Sequence, residues 1–224
     1  MKFKLVKNAN KLILCFLGYS FLPESLKHLE LGEYGLGVIY DYTNINFDLN
    51  FLELEIKTKA QNFNDLISKK ELFLVAFSLG VFIVSKIKFQ TPLKCAVAIN
   101  GTPFGIDENF GIKQSDFQAS LQNFDFNEFK KGCFLKDISR VNFAFNIHPK
   151  AELSALYESI KNAKKDENFI NWTKAIISKK DMIFPSNATQ NYFRNFAPNC
   201  DIQMLNSAHF AFYNFTKWEQ ILAL

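Results

Sequence analysis

The stretch Leu72-Phe73-Leu74-Val75-Ala76-Phe77-Ser78-Leu79-Gly80-Val81-Phe82-Ile83-Val84 decides how the rest of the chain is read. Leu72 to Phe77 is an unbroken apolar run of strand length, and after Ser78 the pattern turns helical through Val84 and Lys88. The whole stretch falls short of the roughly 18 apolar residues that a membrane-spanning helix needs. It sets a serine between a buried strand and a helix, with small residues two before and two after it, Ala76 and Gly80. That is the pattern of a nucleophile elbow, where a sharp turn lifts the hydroxyl out of the sheet and small neighbours let helix and strand approach. Ala76 stands where the G-x-S-x-G pattern prefers glycine and is the next smallest choice. Taken alone, the stretch also reads as a buried helix whose serine bonds back to a carbonyl.

Outward from the elbow, short apolar runs alternate with helical spacings. On the N-terminal side, Leu12 to Phe16 reads as a buried parallel strand ending near Gly18, Pro23 to Leu31 as a helix, Leu36 to Tyr40 as a strand and Asn64 to Lys70 as a helix. On the C-terminal side, Cys95 to Ile99 is a strand closed by Asn100-Gly101-Thr102-Pro103. A helix over Leu153 to Ala163, a strand over Lys174 to Ser178, a helix over Asn187 to Phe196, a strand over Asp201 to Leu205 and a helix over Thr216 to Leu222 follow. The alternation predicts an α/β fold with a mostly parallel sheet and helices on both faces. Between about 104 and 150 the rhythm breaks into Phe-, Asn- and Asp-rich sequence with helical patches around Phe117 to Phe129, which reads as an inserted cap. The expected organisation is a single domain over 1–224 carrying that cap.

Composition narrows the function. With 224 residues, 48% hydrophobic, 21% charged and 26 Phe, the chain can bury a sizeable core, which excludes disordered and fibrous classes. The N-terminal Lys2, Lys4, Lys7 and Lys11 ahead of Leu12 to Leu17 imitate a secretory signal, but no small-x-small cleavage site follows Phe21, so the run reads as a buried strand. Cys15, Cys95, Cys133 and Cys200 lie far apart without metal-knuckle or redox spacing, as reduced core thiols of a cytoplasmic protein do. Net charge is +4, yet the 26 basic residues include only two arginines, Arg140 and Arg194. Arginine is the usual reader of guanine edges, so nucleic acid is not the expected partner, whereas docking of an acidic protein fits a mild basic excess.

A serine nucleophile needs a base, and the histidines are His28, His148 and His209. His28 belongs to the first helix and His148 to the edge of the cap. His209 lies in a loop after the last strand and before the last helix, where a serine hydrolase of this topology presents its base. The orienting acid should come between serine and histidine in chain order, at the end of the penultimate strand. Asp181, in Ser178-Lys179-Lys180-Asp181-Met182-Ile183-Phe184-Pro185, satisfies this; Asp201 opens a strand at its far end, and Asp166 sits in a charged helical tail. The expected catalytic set is Ser78, Asp181 and His209. For the oxyanion, the backbone N–H of Leu79 at the helix start and of Tyr19 in the Leu17-Gly18-Tyr19-Ser20 loop are the expected donors.

These residues resemble the BioG-type pimeloyl-[acyl-carrier protein] methyl ester esterases, a compact branch of the α/β-hydrolases. The resemblance rests on Leu12 to Tyr19, on Ala76-Phe77-Ser78-Leu79-Gly80-Val81, on Ala98 to Pro103 running to Ile106-Asp107 and Gly111-Ile112, on Asp181 to Pro185 with Asn187 and Gln190, and on His209 to Trp218. It implies hydrolysis, without metal or cofactor, of the methyl ester that caps a pimeloyl chain on acyl carrier protein, in biotin biosynthesis. Where the family tends to carry Gly-Trp-Gly after the first strand, this chain has Gly18-Tyr19-Ser20. The carrier is acidic, and Lys130, Lys131 and Arg140 in the cap are the expected docking residues. Hydrolysis of another acyl ester or thioester on the same scaffold, and a non-catalytic hydrolase-fold binding module, are the alternative readings.

Overall fold

The computed structural model describes residues 1–55, 62–165 and 167–223; Asp166 lies outside the described residues. In chain order the elements are β1 (Lys2–Lys7), β2 (Lys11–Phe16), β3 (Gly35–Tyr40), β4 (Glu53–Glu55), α1 (Phe63–Ile67), β5 (Glu71–Phe77), α2 (Leu79–Ser85), β6 (Leu93–Ile99), α3 (Gln114–Gln122), α4 (Phe126–Phe134), α5 (Pro149–Asn162), β7 (Lys174–Ser178), α6 (Ser186–Phe196), β8 (Asp201–Leu205) and α7 (Trp218–Leu222). The strands form one 8-stranded sheet in the order β4-β1-β3-β2-β5-β6-β7-β8. Among the described residues, the β1–β3 pairing is antiparallel and the other neighbouring strand pairs are parallel.

The apolar runs that read as strands are apolar because both faces of the sheet are covered. Leu12, Leu14 and Phe16 of β2 join Leu72, Leu74 and Ala76 of β5 in one core layer, roofed by α1, α2, α5 and α6. Ile13 and Cys15 join Val75, Phe77, Val97 and Ile99 in the layer on the other face, under α7 and the segment around Leu26 and Leu29. The two-residue period of a strand makes this division.

The structure departs from the periodicity in three places. Pro23 to Leu31 is not one helix: a 3-10 turn over Pro23–Leu26 is followed by an irregular stretch, because the Glu30 amide donates to the Thr216 carbonyl at 2.8 Å instead of to its own chain one turn back. The lysine-studded N-terminus makes strand β1, whose Phe3 is fully buried while Lys4 pairs with Glu24 at 2.8 Å. β4 has only three residues, too few for a periodic signal. The 104–150 segment holds α3, α4 and a 3-10 helix over Leu135–Arg140, with a break where Asp125 caps α4 by accepting from the amides of Asn127 and Glu128. Among the described residues, no helix is long and apolar enough to cross a membrane.

Candidate active site

Ser78 occupies the turn between β5 and α2 with φ +55° and ψ −129°, a conformation that L-residues rarely adopt and that costs of order 1–3 kcal/mol. Its surroundings impose it. The Ser78 amide donates to the Ile99 carbonyl at 2.9 Å, continuing the β5–β6 ladder, while the Ser78 carbonyl accepts from Val81 at 3.0 Å to start the helix. A Cβ on Gly80 would lie 2.4 Å from the Leu17 carbonyl oxygen, and one on Gly101 would lie 2.2 Å from the Ser78 carbonyl oxygen. These two glycines let β2, α2 and the β6 loop close around the serine. Ala76 fits beneath the turn, fully buried in the core.

His209 Nε2 lies 3.0 Å from Ser78 Oγ, and His209 Nδ1 donates to Asp181 Oδ2 at 2.7 Å. An acceptor at Nδ1 puts the proton there and leaves the Nε2 lone pair facing the serine hydroxyl. The second oxygen of Asp181 accepts from the amides of Ile183 and Phe184, both at 2.8 Å, so the carboxylate is fixed at both ends. Both side chains are 1% exposed, and the imidazole packs on the Phe77 ring at 4.8 Å. The structure thus brings together the three residues that lie 131 and 28 positions from one another along the chain.

The other candidates lie elsewhere. His28 is exposed, with Nε2 3.1 Å from the Phe212 carbonyl; His148 is exposed at the start of α5. Asp201 pairs in register with Lys174 at the end of the sheet opposite to Ser178 and Leu205.

A cavity of about 290 Å³ opens on this group. Ser78, His209, Tyr19 and Leu79 line it together with Phe117, Phe124 and Phe129 of the 104–150 segment and with Met182. As the first residue of α2, Leu79 has an amide with no acceptor inside its own helix. The Tyr19 ring packs edge-on against Phe124 at 5.6 Å and Phe129 at 5.2 Å, and burial pushes its phenol pKa up. All four cysteines are free and buried, and none lines the cavity. Among the described residues, no group of three or more His, Cys, Asp or Glu is placed to hold a metal ion.

Of the expected docking residues, Lys131 pairs with Glu128 at 2.6 Å and Lys130 sits 5.2 Å from the Phe126 ring centre. Arg140 approaches Asp137 at 3.4 Å and stacks over Tyr213 at 4.1 Å. Two buried polar residues escape the sequence reading. Asn100 bonds to the His209 carbonyl, to Ser178 Oγ and to the Ser178 amide; its signal was the Asn-Gly pair closing β6. Glu152 is fully buried on α5, one turn into a helix that Pro149 announces and the leucine spacing alone begins at Leu153.

The family described as pimeloyl-ACP methyl esterase BioG matches this chain over residues 1–221. The chain belongs to the BioG family. The crystal structure of BioG from Haemophilus influenzae superposes with a TM-score of 0.83 at 27% identity, covering 99% of this chain and 100% of that one. An uncharacterised protein of Haemophilus influenzae is 31% identical over 94% of this chain and 93% of its own length. A lipase-esterase related protein from Clostridium acetobutylicum shares the fold, with a TM-score of 0.60 at 16% identity over 93% of this chain and 92% of its own. The fold is that of the α/β-hydrolases, and the BioG reaction is hydrolysis of pimeloyl-ACP methyl ester in biotin biosynthesis, which makes acyl carrier protein the substrate's carrier.

Proposed function

We propose that Ser78, His209 and Asp181 are the catalytic triad of this esterase and that the backbone amides of Tyr19 and Leu79 are its oxyanion donors. The observation that carries this reading is the unbroken chain from Ser78 Oγ to His209 at 3.0 Å and from His209 to Asp181 at 2.7 Å, at the floor of the aromatic cavity. Ser78 Oγ attacks the ester carbonyl while His209 Nε2 takes its proton. The tetrahedral oxyanion is held by the two amides, whose hydrogens need no reorganisation as charge develops. As it collapses, the C–O bond to the methoxy group breaks and His209 returns the proton, releasing methanol. Water then gives a proton to His209 and its oxygen to the acyl carbon; collapse returns the proton to Ser78 and leaves the free carboxylate. Throughout, Asp181 holds the imidazole tautomer and stabilises the imidazolium.

The cavity's size supports a slender acyl chain as the group that enters the site. At about 290 Å³ it takes a slender polymethylene chain and excludes a protein domain, so the carrier stays outside while its cargo reaches Ser78. The chain forms, in this reading, a single domain in which residues 104–150 are the cap: Phe117, Phe124 and Phe129 furnish the apolar wall of the acyl site, and α4 offers exposed Lys131 and half-buried Lys130 to an acidic carrier, with exposed Arg140 beyond them.

Intact-mass measurement of pimeloyl-ACP methyl ester incubated with the enzyme tests the reading. It should show loss of the methyl group with the acyl chain still on the carrier; release of the whole acyl chain would point to a thioesterase. A fluorophosphonate should label the wild type at Ser78 and leave Ser78→Ala unlabelled.

A further inference from the structure

Glu152 is a carboxyl group, 0% exposed, on a helix that contributes nothing to the proposed proton relay. Its Oε2 accepts from the Ser20 amide at 3.0 Å and from Asn146 Nδ2 at 2.9 Å, and its Oε1 accepts from the Tyr42 amide at 3.1 Å. Each backbone contact sits at a left-handed turn: Ser20 itself has φ +68°, and Asp41, just before Tyr42, has φ +54°. Non-glycine residues stay in that region only when their surroundings over-determine it. The Ser20 carbonyl meanwhile accepts from the Asn146 amide at 2.9 Å, Phe21 bridges Phe145, and Tyr42 Oη donates to the Leu17 carbonyl at 2.7 Å. The Leu17 to Phe21 loop is thereby clasped on one side by the end of β3 and on the other by the end of the 104–150 segment, with one carboxylate at the junction.

We propose that Glu152 is a positioning residue: its carboxylate sets the Ser20 turn, which aims the Tyr19 amide at the oxyanion, and locks the cap's last strand-like residues onto the same loop. The proposal rests on the assignment of Tyr19 as an oxyanion donor. The carboxylate suits the role because all three partners are N–H donors, and a glutamine or a protonated acid must turn a donor toward one of them. Burial, opposed by the bonds from Tyr42, Asn146 and Ser20, pushes the Glu152 pKa up to about 7, so about half of the anion is lost by neutrality and most of it one pH unit lower. The ionisable neighbours are Asp41, Tyr42 and Tyr19. Asp41, despite its partial burial, is held below its usual range by hydrogen bonds from Thr43 and Lys2, and burial keeps both phenols neutral. None of these changes charge near pH 7, which leaves Glu152 as the group of this cluster that titrates there.

The test compares wild type, Glu152→Gln and Ser78→Ala on pimeloyl-ACP methyl ester as a function of pH. Glu152→Gln should lower kcat by about 10-fold to 100-fold with KM within about twofold, since the displaced donor acts on the transition state. Fluorophosphonate labelling of Ser78 should slow in parallel. Wild-type kcat should fall by that same factor of about 10 to 100 as pH drops through about 7, a step that the variant, already without the carboxylate, should lack. A folded Glu152→Gln enzyme with wild-type kcat would overturn the proposal, as would a wild-type kcat that stays flat as pH falls through about 7, a measurement that needs no variant to fold. Full turnover by Ser78→Ala would instead bring down the triad reading, so the two failures are distinguishable.

Discussion

The side-chain amide of Asn100 donates a 2.6 Å hydrogen bond to the backbone carbonyl of His209. The same side chain donates to Ser178 Oγ at 2.8 Å and accepts from the Ser178 amide at 2.7 Å, and Ser178 Oγ lies 2.7 Å from Ser207 Oγ. Asn100 thus ties the end of β6 to the end of β7 and to the loop that carries the imidazole. It has φ +48°, which asparagine tolerates better than most residues.

Asn100→Ala should therefore reduce stability by about 1–3 kcal/mol, because the Ser178 amide and the His209 carbonyl are left buried with a partner missing. It should also lower kcat more than it raises KM, since the freed loop carries the proposed base, His209. Denaturant melts with steady-state kinetics check both. Unchanged stability and kcat would show that the Ala211 amide, which also donates to the His209 carbonyl at 2.8 Å, holds the loop by itself.

Ser78→Ala should abolish ester turnover while the protein stays folded, and His209→Ala should be about as damaging. Residues of one relay act as a unit, so the double variant should be no slower than either single one by more than a small factor. Additive losses, read from kcat/KM, would mean that the serine and the histidine serve separate steps.

Asp181→Asn should lower kcat by up to about four orders of magnitude, because an amide facing Nδ1 favours the tautomer that turns an N–H toward Ser78. Substrate binding should hardly change, as Asp181 is not among the cavity-lining residues. A large loss at Asp201 with none at Asp181 would reassign the acid to the wrong end of the sheet.

Ser20 sits at φ +68° with its buried Oγ lacking a hydrogen-bond partner, so neither its Cβ nor its hydroxyl stabilises the loop. Ser20→Gly should keep the melting free energy within about 1 kcal/mol of wild type, relief of strain offsetting the extra freedom of the unfolded chain. Ser20→Val, β-branched in the same region, should lose about 2 kcal/mol. Equal tolerance of both would show that the turn relaxes.

Charge reversal of Lys130 and Lys131 together should slow hydrolysis of the carrier-bound ester and spare a small free methyl ester. The loss should be larger at low salt, where steering of an acidic partner is least screened. Equal losses on the two substrates would mean a damaged α4, and no loss on either would remove these lysines from the docking surface. Lys131 already pairs with Glu128, an exposed contact that a carrier must compete with.

Much of this molecule is written in local pattern. β7 and β8 span the residues the pattern predicts, and β2, β5 and β6 start within a residue or two of theirs; β2, β5, β6 and β7 are legible because strands covered on both faces carry mostly apolar side chains, while β8, at the sheet edge, is only half-buried. The elbow is legible because Ala76, Ser78 and Gly80 meet a steric demand that is local to one turn, and Asp181 and His209 are legible because chain order and strand ends are one-dimensional facts. What only the tertiary structure decided are the contacts that no spacing encodes. Phe3 makes β1 a strand because β3 and β4 flank it, where the sequence pattern placed its first strand only at Leu12 to Phe16. Glu30 leaves its helix for the Thr216 carbonyl, and Asn100 reaches across 109 residues to His209. Glu152 looks like any helix-surface glutamate until Ser20 and Tyr42, 132 and 110 residues away, bring their amides to it. A buried polar group is stable only with its partners in place, and those partners are supplied by the folded topology, so its role cannot be read before the chain has closed around it.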